Sequence, residues 1–258
     1  MTSINPLSPE VMPIIGLLVM RIGALVLIAP VFSARTIPVM FRTALLVCLV
    51  ALTLPAAYTH AVQPVRFSPE AIVSESLLGV SLGFGAALVI AAAEVAGELI
   101  GTQSGLSGAT TLDPLTQFSS PVLGQFVALL ATTILFTIDG HVAILEALWN
   151  SVRIAPPGAA LQLVAGTREL IGLSADVFVQ GLRFAAPVTA AVLISNVAMG
   201  ILARATPQMN MFIVAYPLQI AVGLITLMVA LPLIATLLLD WPPSYTGLAD
   251  RLLAALGR

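Results

Sequence analysis

The chain has 258 residues, of which 59% are hydrophobic and 9% charged, and its mean hydropathy is +1.07. An ordinary soluble domain carries roughly a quarter charged residues, so a water-soluble fold is excluded. All ten basic residues are arginine, and twelve acids bring the net charge to -2, which leaves no basic face for nucleic acid.

The composition also bounds the chemistry. A single cysteine, Cys48, can build neither a disulfide framework nor a structural zinc site. The two histidines, His60 and His141, stand far apart, with no His-x-x-x-His or His-Glu spacing that could hold a metal. No cofactor and no metal are therefore expected. The first ten residues carry only Glu10, not the positive charge of a cleavable signal, so the N-terminus is expected to be retained. With no polar stretch long enough for a soluble domain, residues 1–258 read as a single membrane domain.

A spanning helix needs about 20 mostly apolar residues. Six stretches qualify in chain order: 11–33, 39–57, 71–100, 121–138, 173–203 and 211–239. A seventh, 141–154, is apolar but short, which suits a half-helix or an interfacial piece. The expected fold is all-α: a polytopic membrane protein of about six long, partly broken helices arranged as hairpins. Counting arginines over the loops with 141–154 allowed to cross favours an outside N-terminus and an inside C-terminus, placing Arg35, Arg42, Arg153, Arg168, Arg251 and Arg258 inside against Arg66 and Arg204 outside. If 141–154 does not cross, the C-terminus lies outside and the count is less favourable.

Several stretches are interrupted. Pro187, Pro217 and Pro232 fall inside helical runs, where a missing donor and a ring clash predict kinks or breaks. Gly79-x-x-x-Gly83 allows close helix contact. Charges also enter the apolar runs: Arg21, Arg42, Glu75, Glu94, Glu98, Asp176 and Arg183. Each is costly at membrane depth unless paired or wetted. Glu94 and Glu98 are four apart, so two like charges share one helical face. That face meets arginines from elsewhere, is wet, or lies at the membrane interface.

The stretch 101–120 is a connector of unusual makeup, rich in Gly, Ser and Thr, with one charge, Asp113. A connector of that length is uncommon in a compact domain unless it has a function. Enclosed by protein, it could re-enter the membrane as a plug. Within it, Gly105-Leu106-Ser107-Gly108 resembles the Gly-x-Ser-Gly of rhomboid-type intramembrane proteases. The residues that follow are β-branched and end in proline, a poor start for the helix such a serine requires. No enzymatic activity is expected. Further on, Pro207, Gln208 and Asn210 form a tight polar break between two helical runs, with Thr206 or Asn210 available as a cap.

Taken in order, Arg21-Ile22-Gly23-Ala24, Ala29-Pro30-Val31-Phe32-Ser33, Ile37-Pro38, the Glu and Gly-rich start of the third stretch, Ala96-Gly97-Glu98-Leu99-Ile100-Gly101-Thr102-Gln103-Ser104-Gly105-Leu106-Ser107, Asp139-Gly140-His141, Ala185-Ala186-Pro187, Pro207-Gln208-Met209-Asn210-Met211-Phe212 and Tyr216-Pro217 resemble the FliR family of flagellar export-gate proteins, called SctT in injectisomes. The Pro-Gln-Met-Asn block looks more flagellar than injectisomal. The resemblance implies a gate in the bacterial inner membrane at the flagellar basal body, assembled with FliP and FliQ and working with FlhB and FlhA on unfolded export substrates. It implies helices lifted partly out of the bilayer plane. It also implies that Gly101-Thr102-Gln103-Ser104-Gly105-Leu106-Ser107-Gly108-Ala109-Thr110-Thr111-Leu112-Asp113-Pro114 is the plug, with the intramembrane charges at subunit contacts. The alternative from the residues alone is a secondary transporter with discontinuous helices and intramembrane acids such as Glu75 and Glu94. Such a transporter should carry an internal repeat, and none is visible between the two halves.

Overall fold

In a computed structural model the described residues are 8–34, 37–61, 64–105, 122–159, 163–206 and 211–256. Among them every regular element is a helix. In chain order these are α1 (Val11–Ile28), α2 (Pro30–Ser33), α3 (Val39–His60), α4 (Pro69–Gln103), α5 (Val122–Thr137), α6 (Gly140–Ile154), α7 (Leu163–Ala205), α8 (Met211–Leu239) and α9 (Trp241–Leu256). Five of them contain a segment long and apolar enough to cross a membrane, and α5 with α6 makes a sixth if counted as one broken span. The chain is thus a polytopic, all-helical membrane protein.

The first expected stretch, 11–33, is two helices. Ala29 takes an extended backbone (φ -63, ψ 118), and Pro30 then opens α2, since proline disfavours the helical region for the residue before it. The internal prolines behave otherwise. Pro55, Pro187, Pro217 and Pro232 all lie within continuous helices, so no break forms at the three positions expected. α9 lies beyond the last expected stretch and opens with Trp241-Pro242-Pro243. Both prolines occupy its first turn, where the N–H groups lack intrahelical partners in any case.

Two helices are much longer than a bilayer requires. α4 has 35 residues and α7 has 43, which at 1.5 Å per residue is roughly 52 and 65 Å against a hydrocarbon core of about 30 Å. Even a tilt of about 40° leaves part of each outside the hydrocarbon.

The chain divides into two compact units. Met1–Leu88, Phe136–Ser174 and Trp241–Arg258 form the first, Val89–Leu135 and Ala175–Asp240 the second. In the first, α1 packs on α3, and α6 packs on both α3 and α9. A methyl at Gly79 would lie 2.0 Å from the Arg21 carbonyl oxygen, and one at Gly83 would lie 3.0 Å from Ile28 Cβ. The contact moves up both helices together, so α1 and α4 run in the same direction with their backbones touching. The Gly79-x-x-x-Gly83 spacing thus serves packing within the chain. α9 buries Tyr245, Ala249, Leu252 and Leu253 along one face and exposes Asp250 and Arg251 on the other, an amphipathic pattern.

The second unit has its own core, in which Ala92, Ala93, Ala96 and Ile100 of α4 meet Val127 and Ala131 of α5. Phe184, Ala185, Val188 and Val192 of α7 and Leu227, Ala230 and Ile234 of α8 complete it. Alanine and glycine dominate the α4 side. A methyl at Gly97 would come within 2.5 Å of the Leu123 carbonyl oxygen, so α5 also approaches α4 at backbone distance. Without a hydrophobic drive between helices in lipid, such close contact is a main source of packing energy.

α3 ends at His60, and His60 and Arg153 line the same cavity, so the ends of α3 and α6 lie together. That suits the alternative in which 141–154 does not cross by itself, with α5 and α6 as one bent span.

Candidate functional site

Arg21 is fully buried in the middle of α1, and every terminal nitrogen has a partner. Its Nε donates to Glu75 Oε2 of α4 at 2.6 Å, Nη1 to Ser151 Oγ of α6 at 3.1 Å, and Nη2 to the Ala155 carbonyl at 2.8 Å. Glu75 is 2% exposed. Ser151 Oγ in turn donates to the Leu148 carbonyl. The Ala155 carbonyl caps the C-terminal end of α6, where a cation meets the negative end of the helix dipole. One guanidinium therefore ties three helices together and leaves no charge unpaired at depth. Leu78 of α4, Ala155 at the end of α6 and Leu253 of α9 form a small buried apolar cluster in the same unit.

The other expected charges fall elsewhere. Arg42 is half-buried, and its Nη2 donates to the carbonyls of Ser33 at 3.2 Å and Ala34 at 2.6 Å, capping the end of α2. Glu94 and Glu98 are both exposed on the same face of α4, and Arg183 is exposed on α7. The structure brings none of these three into the Arg21 network. Asp176 belongs to α7, and its side chain lies outside what the structure describes.

The stretch expected to plug the pore begins inside a helix. Gly101, Thr102 and Gln103 complete the last turn of α4, a correction to the loop boundary. Thr102 Oγ1 bonds back to the Glu98 carbonyl at 3.0 Å, and this local satisfaction lets a threonine extend a helix. Ser104 and Gly105 form the turn that follows. The Ser104 N–H still bonds the Ile100 carbonyl at 2.9 Å, and Gly105 has a left-handed φ of 74, the conformation that ends helices and favours glycine. Ser104 is fully buried against α8, where a methyl at Gly223 would sit 2.2 Å from its Oγ. Leu106, Ser107, Gly108, Ala109, Thr110, Thr111, Leu112, Asp113 and Pro114 lie outside the described residues, as do Pro207, Gln208 and Asn210. The break that those last three predict falls between the end of α7 at Ala205 and the start of α8 at Met211.

Sequence reasoning overlooked one polar pair. Gln219 Nε2 of α8 donates to Asn196 Oδ1 of α7. Two amides in apolar runs were the available signal, because such groups commonly bond across helices in a membrane. The Tyr245 hydroxyl of α9, which donates to the Leu82 carbonyl of α4 at 3.0 Å, was missed along with its helix.

Membrane-length helices held by small-residue contacts, one buried ion pair and an interhelical amide pair define a multi-pass membrane protein whose polar interior groups join helices. A family model described as bacterial export proteins, family 1, matches residues 12–241. The chain is similar to the flagellar biosynthetic protein FliR of Escherichia coli (strain K12), at 31% identity over 217 residues, 84% of this chain and 83% of that one. It is 35% identical over 217 residues to the FliR of Pectobacterium carotovorum subsp. carotovorum, 83% of this chain and 82% of that one. It is also similar to the secretion system apparatus protein SsaT of Salmonella typhimurium, at 26% identity over 162 residues, 62% of each chain. The chain belongs to the FliR/SctT family of bacterial export proteins.

Proposed function

We propose that this chain is a non-enzymatic core subunit of the flagellar type III protein-export gate, which helps to form and plug the pore through which unfolded flagellar proteins leave the cell. It sits in the bacterial inner membrane at the flagellar basal body. It assembles with FliP and FliQ, and it works with FlhB and FlhA. The whole chain acts as one export-gate domain. The flagellar gate is favoured over the injectisome one because similarity to the FliR proteins runs over more of the chain, and at higher identity, than similarity to SsaT.

The observation that carries this reading is the seat of the Gly101 to Pro114 segment. Its first residues are held by α4, Ser104 is buried against Gly223, and Gly105 turns the chain out of the helix. A segment anchored so firmly at its base, and built beyond it from small, nearly neutral residues, can block a passage loosely and yield when a chain pushes through. The overlong α4 and α7, and the apolar residues exposed along α7 and α8 such as Phe178, Leu193, Ile225 and Val229, suit a subunit whose surfaces meet other chains as well as lipid.

Deleting residues 105–111 in the flagellated cell tests the plug. Assembly should persist while the membrane leaks small ions. A deletion strain as tight as the parent would remove the plug assignment.

A further inference from the structure

A cavity of about 400 Å³ in the first unit is lined by His60, Asn150, Arg153, Ile154 and Asp250. His60 is the last residue of α3, Asn150, Arg153 and Ile154 close α6, and Asp250 stands on α9. Four of the five are polar, in a chain where only 9% of residues are charged. Arg153 and Asp250 carry opposite charges around one cavity, yet among the described residues they make no ion pair with each other. His60, Arg153 and Asp250 are all exposed, so the cavity is open to its surroundings.

Its height along the membrane follows from α3. With 22 residues, α3 is about 33 Å long, which matches a hydrocarbon core of about 30 Å. When α3 crosses, His60 stands at the level of the lipid headgroups. Trp149 is exposed next to Asn150 in α6, and Tyr58 is half-buried two residues before the end of α3. Both are amphipathic aromatics of the kind that favour that level.

An occupant that satisfies this lining carries both signs of charge. The Arg153 fork matches a phosphate, with His60 and Asn150 as further donors. Asp250 accepts from a primary ammonium. A headgroup with negative charge alone would face Asp250 unpaired, and a quaternary ammonium has no N–H to donate. Ile154 supplies an apolar edge for the lipid beyond its headgroup. We infer that this cavity seats the phosphoethanolamine headgroup of a membrane lipid, its phosphate on Arg153 and His60 and its ammonium on Asp250.

Native mass spectrometry of the full-length chain in detergent, titrated with phosphatidylethanolamine, phosphatidylglycerol or water-soluble phosphoethanolamine, tests the site. The chain should retain phosphatidylethanolamine in preference to phosphatidylglycerol, and Arg153→Gln should weaken that retention about tenfold, the loss expected for a charge-assisted hydrogen bond. Asp250→Lys should reverse the preference toward phosphatidylglycerol, a gain that misfolding does not produce. Equal retention of both lipids by the parent chain and both variants would overturn the site. Displacement of the lipid by an equal concentration of phosphoethanolamine would assign the cavity to a soluble zwitterion and overturn the lipid. Lipid retention is read without export, so the outcome is independent of the pore reading.

Discussion

The guanidinium of Arg21 and the carboxylate of Glu75 meet at 2.6 Å with both side chains buried, joining α1 to α4. The same arginine reaches Ser151 and Ala155 at the end of α6, so a single group sets the relative positions of three helices in the first unit. Removing one partner leaves the other charged and buried, which costs about 3 to 5 kcal/mol. Arg21→Leu or Glu75→Leu alone should therefore sharply lower thermal stability in detergent and the amount of chain in the membrane. The double variant should recover most of the loss, because no buried charge remains. A double variant as damaged as the sum of the singles would show that the pair holds the helices for some other reason.

Backbone contact between the same two helices gives a second comparison. Gly79→Ala places a methyl 2.0 Å from the Arg21 carbonyl oxygen, whereas Gly23→Ala on α1 meets nothing within 4 Å. Gly79→Ala should cost at least roughly 1–3 kcal/mol as the helices are forced apart. Gly23→Ala should be neutral or slightly stabilising, because alanine favours the helix. Thermal unfolding of the two variants side by side separates close packing from a general intolerance of change at glycine.

How much of this was legible beforehand varies with the distance over which each feature is encoded. Helix type and the apolar extent of the membrane-length helices are local and could be read from composition and run length, whereas α2 and α9 could not. Arg21 and Glu75 could be singled out as costly charges, but they are 54 residues apart, and nothing in a linear sequence says that one answers the other. Gly79 and Gly83 announced a close contact without naming α1 as its partner. The effect of a proline depends on its place in the helix. Pro30 breaks a helix because its neighbour Ala29 is extended, while Pro187, Pro217 and Pro232 are carried within continuous helices and Pro242 and Pro243 start one. The stretch 101–114 stood out by its small-residue makeup, but the contact of its Ser104 with Gly223 joins positions 119 apart (223 minus 104), which no local pattern announces.

That seat can be tested by compensation. Gly223→Ala drives a methyl into Ser104, at 2.2 Å from Oγ and 2.8 Å from Cβ, and should displace the base of the segment. Ion leakage through the membrane should rise. Adding Ser104→Gly removes both clashing atoms and should restore a tight membrane. Failure of the second substitution to reverse the first would detach the seat from the plugging role.

Glu94 and Glu98 are exposed on one face of α4, so neither holds this chain together. Replacing both with glutamine should change the stability of the isolated chain by no more than about 0.5 kcal/mol. If that face meets cationic groups of partner subunits, the same variant should co-purify with less FliP and FliQ. Unchanged recovery of both partners would place the two carboxylates away from any subunit contact.

Burial pushes the Tyr245 phenol above its ordinary value of 10.0, so the hydroxyl stays protonated and keeps its bond to the Leu82 carbonyl. The unfolded chain loses its phenolic proton first as pH rises. The contribution of Tyr245 is therefore constant below about pH 10 and declines above it. Tyr245→Phe should cost about 1 kcal/mol at pH 7 and should flatten the alkaline fall in stability. Unfolding temperatures measured at pH 7 and above pH 10 give both readings.

The central claim, that this chain is a gate subunit built to be surrounded by other chains, is tested most directly by purifying it from its own membranes in mild detergent and identifying what comes with it. The expected result is one stable hetero-oligomer containing FliP and FliQ in fixed proportion. A solitary, monodisperse and folded chain, obtained from membranes in which FliP and FliQ are present, would contradict it.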